Sequence, residues 1–458
     1  MKARKSEVII VGGGVIGASI AYYLAKKGQS VTLLERGQLG LEASAAAAGM
    51  LGAQSEMEDT GALFQWARQS RAMFPQLSGE LRELTGIDIG LVREGLLNIA
   101  LSDVQERELR AREKLQRAAG EQAQWLSAAE AMAIEPALSE ATRGALYLPE
   151  DGQVDAPLLA AAFAQAAQVL GAKMQPFAGV QGLLTAQERV IGVLTAAGPL
   201  YSNHVVVAAG TWSGQLLGSI GVDLPMYPVK GECFSVRTPK PVLKKTLFTP
   251  GCYIVPKAGG RLVVGATVVP NSYDRKVSLS GLAELMDRAR GLMPALGDAE
   301  WEKAWSGLRP QTADGLPYIG KVPMVEGLYV ACGHYRNGIL LSPITGKVMA
   351  DWILSGEVSS FAGMGAGVET GVSAGSGAGG GHETVAVRGL GLVPGAGPVP
   401  APVSASGLSS EPRAMDMDVY QQIEFEVGEC ALQSLAPWME AFSPDLSPES
   451  KRVAPPSL

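Results

Sequence analysis

The residues near the start of the chain that are best suited to chemistry are a set of glycines and one acid. Gly12-Gly13-Gly14-Val15-Ile16-Gly17 fits the pattern G-x-G-x-x-G, and Glu35 follows the next apolar run. Glycines permit a tight turn and a close approach of backbone to a pyrophosphate, while an acid at this distance can accept ribose hydroxyl hydrogens. Glu35 would repel a 2′-phosphate, so the pattern predicts a site for FAD or NAD rather than NADP.

Three elements must position these residues. The apolar run that ends at Val11 predicts a buried strand, residues 18–27 predict an amphipathic helix, and residues 30–34 predict a second strand. This order places a pyrophosphate at a helix N-terminus, where unpaired N–H groups and the helix dipole favour an anion. The alternative to dinucleotide binding is a plain glycine turn in an ordinary α/β sheet, because glycine-rich turns are common and G-x-G-x-x-G by itself is not specific.

Composition limits the class of protein. A chain of 458 residues exceeds one simple domain, and 47% hydrophobic with 18% charged residues is typical of a globular α/β protein. The net charge of -7 argues against nucleic-acid binding. The four cysteines form no C-x-x-C pair, so they predict neither a metal site nor a disulfide framework. The N-terminal apolar run is too short for a signal peptide and no run could span a membrane, so we expect a soluble, cytoplasmic protein.

Later segments indicate how the domains are assembled. Residues 203–210 and 327–333 are apolar strands that end in glycine, as the first strand does, and they predict one sheet built from the start, middle and end of the chain. Residues 225–268 consist of short β-rich runs between Pro and Gly turns, which predict an inserted antiparallel sheet.

The globular pattern stops near residue 357. We expect a body at 1–357, a Gly/Ala/Pro-rich linker at 358–414, and a tail at 415–458 that could contain a short helix. Within the body, nucleotide-binding parts are expected at about 1–85, 145–222 and 306–357. Parts of a second domain are expected at about 86–144 and 223–305.

Two long motifs are far more specific than the glycine turn. They are Gly307-Leu-Arg-Pro-Gln-Thr-Ala-Asp-Gly-Leu-Pro-Tyr-Ile-Gly320 and Gly333-His-Tyr-Arg-Asn-Gly-Ile-Leu-Leu-Ser-Pro-Ile-Thr-Gly346. Together with the glycine turn and with residues 44–51, 229–233, 252–256 and 261–267, they resemble the glycine oxidase branch of the amino-acid oxidases. These flavoenzymes are similar to D-amino acid oxidase and sarcosine oxidase, and the resemblance covers residues 7–356.

The resemblance implies an α/β fold: a Rossmann-like FAD-binding domain of the glutathione-reductase type, an inserted antiparallel-sheet substrate domain and a flexible C-terminal extension. It implies FAD rather than NAD. Sarcosine oxidases tether their flavin through a cysteine in a segment similar to residues 307–314, which contain none here, so we expect non-covalent FAD.

The implied reaction is oxidation of glycine, sarcosine or small D-amino acids, with hydride passing from the α-carbon to FAD and O2 giving hydrogen peroxide. The resemblance further implies an imine product that feeds thiamine thiazole synthesis, and a homotetramer. Two alternatives stay open: a D-amino acid dehydrogenase that passes electrons to a quinone, and a non-catalytic flavin-binding partner protein.

The resemblance also assigns the residues of the site. Arg309 resembles the arginine that binds the substrate carboxylate, Tyr253 adds a second donor, and Arg336 lies in the loop that meets the substrate amine and the flavin edge. Neither His334 nor Glu232 is needed as an acid or base, because hydride leaves a substrate whose amine is neutral. The residues expected to bind FAD are Gly12, Gly14, Val15, Ile16, Gly17, Glu35, Arg36, Ser44, Ala45, Gly49, Met50, Val180, Gly210, His334, Arg336, Asn337, Gly338 and Ile339.

Two departures from the family concern the substrate site. Gly251 stands where relatives can carry a histidine, and Val268 follows Thr267 where a methionine can line the pocket. Both changes could widen or dry the cavity, so the preference among glycine, sarcosine and small D-amino acids stays open.

Overall fold

The computed structural model describes residues 8–56, 61–323 and 325–355, together with two short strands at Thr370–Gly371 and Val385–Val387. Apart from those strands, the predicted linker and tail lie outside the described residues. Within these ranges, no helix combines the length and apolarity needed to cross a membrane.

Several helices begin where local sequence signals place them. Ser127 and Glu130 form a reciprocal capping box at the start of one helix, and the Asp155 carboxylate accepts the N–H of Leu158 at 3.1 Å at the start of another. The α-helices of the described ranges are α1 (Val15–Lys26), α2 (Ala43–Ala46), α3 (Ala62–Thr85), α4 (Asp103–Ala118), α5 (Ala128–Ile134), α6 (Ala156–Val169), α7 (Ser213–Gly218), α8 (Leu279–Leu292) and α9 (Gly338–Ser355).

The strands fall into one parallel sheet, one large antiparallel sheet and smaller pieces. They are β1 (Val8–Val11), β2 (Val31–Leu34), β3 (Met50–Leu51), β4 (Leu96–Ala100), β5 (Gln124–Ser127), β6 (Gly144–Leu148), β7 (Gly152–Gln153), β8 (Lys173–Gln175), β9 (Val180–Ala186), β10 (Arg189–Thr195), β11 (Gly198–Tyr201), β12 (Val205–Val207), β13 (Val222–Asp223), β14 (Met226–Arg237), β15 (Thr246–Thr249), β16 (Cys252–Pro256), β17 (Arg261–Gly265), β18 (Val269–Pro270), β19 (Glu300–Thr312), β20 (Tyr318–Lys321), β21 (Leu328–Cys332), β22 (Thr370–Gly371) and β23 (Val385–Val387).

The first sheet has the strand order β20-β21-β12-β1-β2-β8. All its pairs are parallel except β20 with β21, and β1, β12 and β21 lie side by side. The prediction of one sheet assembled from the start, middle and end of the chain is therefore confirmed. Because β1 and β12 pair in register from Ile9 with Val205 to Val11 with Val207, their carboxyl ends meet at one place. Ligands of parallel sheets bind at such ends.

Helices α1 and α9 pack against each other beside this sheet, and α6 and α3 extend the layer. The α1–α9 contact is very close, because a Cβ on Gly346 would lie 2.2 Å from Oγ of Ser19. This packing fixes the two helix N-termini relative to the same edge of the sheet.

The second sheet has nine strands in the order β18-β14-β17-β16-β15-β4-β6-β5, with β19 paired along β14. Its pairs are antiparallel except β15 with β4, which are parallel. The predicted inserted sheet is thus confirmed, with strands β4, β5 and β6 added from an earlier part of the chain. Strand β19 crosses the domain boundary expected near residue 306, so a single strand joins the two parts of the body. Helix α8 covers one side of the sheet, over a core that includes Leu247, Ile254 and Val264.

Candidate active site

The glycine turn after β1 brings two backbone segments closer than a side chain would permit. Gly12 has a φ of +111°, and a Cβ there would lie 2.3 Å from the Ala208 carbonyl oxygen after β12. A Cβ on Gly17 would lie 1.9 Å from the Gly12 carbonyl oxygen. Both positions therefore require glycine, and they let α1 start directly behind the carboxyl ends of β1 and β12.

The N-terminus of α1 can accept a negatively charged group. Gly14 occupies the N-cap position, and the first turn contains no acidic residue. The N–H of Val15 donates to Oγ of Ser44 at 2.9 Å, so the small-residue segment α2 lies against this helix start. The helix dipole and the N–H groups of the first turn favour a phosphate here.

Glu35 follows β2 and is almost completely buried. Its Oε2 accepts the N–H of Gly13 at 2.8 Å, and its Oε1 accepts the N–H of Gly37 at 2.9 Å. Each carboxylate oxygen can accept a further hydrogen bond, so ribose hydroxyls can be added without loss of these contacts. The acid therefore holds the glycine turn and keeps acceptor capacity for a ligand.

A cavity of about 390 Å³ extends from the glycine turn across the ends of β1, β12 and β21; we refer to it as the cofactor cleft. This volume lies within the roughly 300–1,000 Å³ that is typical of small-molecule and cofactor sites. Most of the residues expected to bind FAD line it, namely Gly12, Gly14, Val15, Ile16, Glu35, Arg36, Ser44, Val180, Gly210, His334, Arg336, Gly338 and Ile339.

A second cavity of about 120 Å³, the side cavity, adjoins the cofactor cleft and is bounded in part by β14, β16 and β19. Gly49, Met50 and Asn337 line this side cavity, whereas Gly17 and Ala45 line neither cavity. The two cavities share Ala43, Ala47, Tyr335, Arg336 and Ile339. A long ligand in the cleft and a small ligand in the side cavity would therefore meet at this junction.

Arg36 forms one wall of the cofactor cleft by stacking on a ring to which the sequence assigned no role. Its guanidinium carbon lies 3.6 Å from the centroid of the Trp212 ring, and its Nη2 lies 3.0 Å from Oε1 of Glu42. Trp212 and Glu42 both line the cleft. Trp212 comes shortly after the end of β12, at the edge of the sheet where ligands bind. Its place in the sequence could therefore have indicated a role in the wall of the cleft.

The start of α9 is held in place by buried serine hydroxyls. Ser19 of α1 donates to the Ser342 carbonyl oxygen at 2.7 Å, and Ser70 of α3 donates to the Leu340 carbonyl oxygen at 2.6 Å. Gly338, the first residue of α9, lines the cofactor cleft. Two neighbouring helices therefore fix where the positive end of the α9 dipole lies.

Arg309 enters the side cavity from β19, which pairs with β14 so that Arg309 lies opposite Val229. Its guanidinium covers Gly231, where a Cβ would lie 2.2 Å from both terminal nitrogens. Its Nη1 donates to the Thr267 carbonyl oxygen at 3.2 Å, and this is its only hydrogen-bond partner in the described part of the chain. Because that partner is neutral, the arginine charge is uncompensated there and can bind a carboxylate in a bidentate manner.

The Tyr253 side chain is a buried part of the side-cavity wall. Its Oη lies 3.5 Å from Sγ of Cys233. Burial raises the pKa of the Tyr253 phenol well above its usual range, and burial also raises the pKa of the Cys233 thiol. Both groups therefore stay neutral at physiological pH, and the phenol can donate a hydrogen bond to an acceptor in the cavity.

The side cavity contains a second arginine, whose charge is balanced. Nη2 of Arg336 lies 2.9 Å from Oε1 of Glu56, and the Arg336 guanidinium carbon lies 5.7 Å from the centroid of the Phe248 ring. Glu56 and Phe248 both line the cavity. The sequence assigned a role to neither, because no motif marks them. Tyr335 has a φ of +48°, which is uncommon for a residue other than glycine, and turns the chain sharply at the junction.

Comparison with known proteins identifies the family. The family model described as "DAO: FAD dependent oxidoreductase" matches residues 7–352. The chain belongs to this family of FAD-dependent oxidoreductases. FAD is therefore its cofactor, and the cofactor cleft is lined by the anion-favouring helix start that a pyrophosphate requires.

Individual relatives support the same assignment. The glycine oxidase of Geobacillus kaustophilus is 49% identical over 352 residues, which cover 76% of this chain and 93% of that protein. A crystal structure of glycine oxidase from the same organism matches with a TM-score of 0.75 and 49% identity, covering 76% of this chain and 94% of that chain. The bifunctional protein ThiO/ThiG of Trichormus variabilis is 36% identical over 76% of this chain and 52% of its own length. The resemblance to glycine oxidases and the expected fold are thereby confirmed.

In this FAD-dependent oxidoreductase, His334 is buried beside α9. Its Nε2 lies 3.1 Å from Oγ1 of Thr345, and burial lowers the pKa of the imidazole to about 3. The ring is therefore neutral at physiological pH and cannot serve as a general acid.

Lys257 is a partly buried lysine behind the side cavity, and the sequence assigned it no role. Its Nζ donates to Oε1 of Gln153 at 2.6 Å and to the Val154 carbonyl oxygen at 2.8 Å. The N–H of Val154 donates in turn to the Gly49 carbonyl oxygen at 2.9 Å. Burial lowers the pKa of Lys257 to about 7. The lysine thus supports the segment that carries Gly49, at the wall of the side cavity.

The two positions that depart from the family both line the side cavity. Gly251 has a φ of +80°, and a Cβ there would lie 1.8 Å from Nη1 of Arg288. A histidine at position 251 would therefore have to displace Arg288. Val268 is more than half exposed at the mouth of the cavity, where it adds an apolar surface.

Proposed function

We propose that this enzyme is an amino-acid oxidase that converts glycine and similar small amines, such as sarcosine and small D-amino acids, into imino acids. The observation that carries the proposal is the pair of donors in the side cavity, the uncompensated guanidinium of Arg309 and the neutral phenol of Tyr253. One carboxylate matches this pair in charge and in hydrogen bonding. The 49% identity to the glycine oxidase of Geobacillus kaustophilus supports the same class of substrate.

Arg309 and Tyr253 hold the substrate carboxylate in this proposal, so that the α-carbon points to the junction of the two cavities. Bound FAD would accept the hydride from that carbon and would pass the two electrons to O2, which gives hydrogen peroxide. No side chain is assigned as a base, because the substrate reacts with its amine neutral and His334 bonds to Thr345. The loop that carries Arg336 borders the amine.

The chain's own residues also suggest how FAD lies. The N-terminus of α1 would hold the pyrophosphate, and Glu35 would accept the hydroxyl hydrogens of the adenosine ribose. The dipole at the N-terminus of α9 would favour negative charge on the flavin. We propose that FAD is held without a covalent bond, and that the domain bounds predicted from the sequence separate the FAD-binding parts from the substrate-binding parts.

The proposal extends to the role of the product. The hydrolysed imine yields glyoxylate and ammonia, whereas an intact imine can supply a thiazole-forming reaction of thiamine synthesis. The name ThiO/ThiG of the Trichormus variabilis relative supports the second use. A cytoplasmic location, expected from the sequence, and a homotetramer, implied by the family resemblance, belong to the same proposal.

An assay of hydrogen peroxide over a panel of glycine, sarcosine, D-alanine and larger D-amino acids tests this function. We expect peroxide formation matched by oxygen consumption, with the smallest substrates favoured. A quinone-dependent dehydrogenase would reduce an added quinone without peroxide, and a non-catalytic flavin-binding protein would do neither. Either of those results would contradict the proposal.

A further inference from the structure

The Glu56 carboxylate is the acidic group of the side cavity that neither the sequence motifs nor the proposed reaction uses. Its side chain is 8% exposed and Arg336, its partner at 2.9 Å, is 34% exposed. Both side chains line the cavity. The pair is therefore part of the wall that a ligand in the side cavity would meet.

Glu56 is held in position by a buried network behind it. Asp151 is fully buried, and its carboxylate accepts the backbone N–H groups of Gln54 at 3.1 Å and Ser55 at 2.9 Å. Nη1 of Arg71 lies 2.6 Å from the same carboxylate and balances its charge. Asp151 thus fixes the backbone of the two residues before Glu56, and this positions Glu56 at the wall of the side cavity.

The backbone of Glu56 is anchored as well. Its N–H donates to the Gly52 carbonyl oxygen at 3.0 Å. The Gln116 side chain donates to the Gln54 carbonyl oxygen at 2.8 Å, and Nη1 of Arg112 donates to the Ser55 carbonyl oxygen at 3.2 Å. Because these contacts use backbone groups, a change of the Glu56 side chain leaves them intact.

The charges in the side cavity have a simple balance. Among the described residues that line it, Arg309 and Arg336 are cationic and Glu56 is anionic. Arg336 is paired with Glu56, whereas the only described hydrogen-bond partner of Arg309 is a neutral carbonyl. One uncompensated positive charge remains, which matches a substrate with one carboxylate. A second anionic group would meet the Glu56 carboxylate in a partly buried site, where charges repel more strongly than in water.

We propose that Glu56 is a specificity-determining residue: by neutralising Arg336, it restricts the site to substrates with a single carboxylate and rejects amine substituents that carry a second acidic group. The proposal rests on the proposed function and deepens it, because it defines the substrate class by charge. Removal of the Glu56 charge would convert Arg336 into a binding site for a second carboxylate.

The test compares two substrates that differ at the amine substituent, sarcosine and iminodiacetate (N-carboxymethylglycine), in the FAD-loaded enzyme and in Glu56→Gln. Glutamine keeps the size of the side chain and removes only its charge. Initial rates of peroxide formation give kcat/KM for both substrates, and flavin absorbance confirms cofactor content. Glu326→Gln is the matched control, because it removes one negative charge from a carboxylate that pairs with Arg189 and lines neither cavity.

We expect the unaltered enzyme to favour sarcosine, and the ratio of kcat/KM for iminodiacetate to that for sarcosine to rise at least tenfold in Glu56→Gln and to stay constant in Glu326→Gln. An unchanged or lower ratio in FAD-loaded Glu56→Gln would overturn the role of Glu56 but not the proposed function.

If Glu56→Gln fails to retain FAD, the unaltered enzyme is assayed at rising salt concentration. Salt screens the repulsion by Glu56, so the ratio of kcat/KM for iminodiacetate to that for sarcosine should rise with salt. Preference of the unaltered enzyme for iminodiacetate would overturn the role of Glu56. Oxidation of neither of these substrates, nor of glycine, would overturn the proposed function as well.

Discussion

Arg309→Met is the substitution that should weaken substrate binding most. Methionine keeps much of the length and apolar bulk of arginine but removes the charge and the forked donor. The only described hydrogen-bond partner of Arg309 is the Thr267 carbonyl oxygen, so the variant breaks no ion pair in the described residues and should retain its fold. Removal of one partner from a buried charge pair costs on the order of 3 kcal/mol, which corresponds to a fall of about 150-fold in kcat/KM.

Steady-state rates of peroxide formation with glycine, at confirmed flavin content, measure this effect. Arg309→Lys keeps a positive charge without the bidentate geometry and should lie between the unaltered enzyme and Arg309→Met. Arg237→Met is the control, because Arg237 is an exposed arginine of the same sheet that pairs with Glu302. A fall of less than about fivefold in FAD-loaded Arg309→Met would refute the assignment of Arg309 as the carboxylate-binding residue.

Four further predictions concern other parts of the site. Tyr253→Phe should lower kcat/KM for glycine about tenfold, because it removes one hydrogen bond worth roughly 1–1.5 kcal/mol, and should leave flavin content unchanged; unaltered kinetics would contradict the role of the phenol. Glu35→Gln should weaken FAD binding, measured by flavin fluorescence during titration of the apoprotein, whereas an unchanged Kd would remove Glu35 from the ribose site. Denaturation and ultrafiltration should release all the flavin, and colour that stays on the polypeptide would contradict non-covalent binding. Burial lowers the pKa of Lys257 from the usual 10.5 to about 7 in the folded state, so the unfolded chain takes up its proton first as the pH falls. The free energy of unfolding of the unaltered protein minus that of Lys257→Met should therefore rise by up to about 5 kcal/mol from pH 7 to pH 10.5 and stay constant below pH 7. Urea unfolding of both proteins measures this difference, and a difference that is the same at all pH values would contradict the lowered pKa.

The parts of the fold that could be predicted from sequence are those with local causes. The glycine turn is one, because the positive φ of Gly12 and the lack of space at Gly17 exclude every other residue type. The β-rich texture of residues 225–268 is another, because strand periodicity and turn residues lie within the same segment. By contrast, the parallel pairing of β4 with β15 joins strands about 150 residues apart, and no local signal indicates it.

The side cavity could be predicted only through family resemblance. Arg309 and Tyr253 lie in motifs, so the resemblance assigns them. Glu56 does not, and its ion pair with Arg336 joins residues 280 positions apart. The stacking of Arg36 on Trp212 likewise depends on how two loops of the sheet meet. Charge balance and ring contacts of this kind follow from tertiary packing, which a single sequence does not display.

Anaerobic mixing of the oxidised, FAD-loaded enzyme with glycine tests the central claim most directly. We predict that the yellow flavin absorbance is bleached, and that oxygen then restores it with one equivalent of hydrogen peroxide for each glycine oxidised. Sarcosine should give the same result, and Arg309→Met should bleach far more slowly. Absorbance that is unchanged by glycine and sarcosine, or that returns only when a quinone is added, would contradict an amino-acid oxidase at this site.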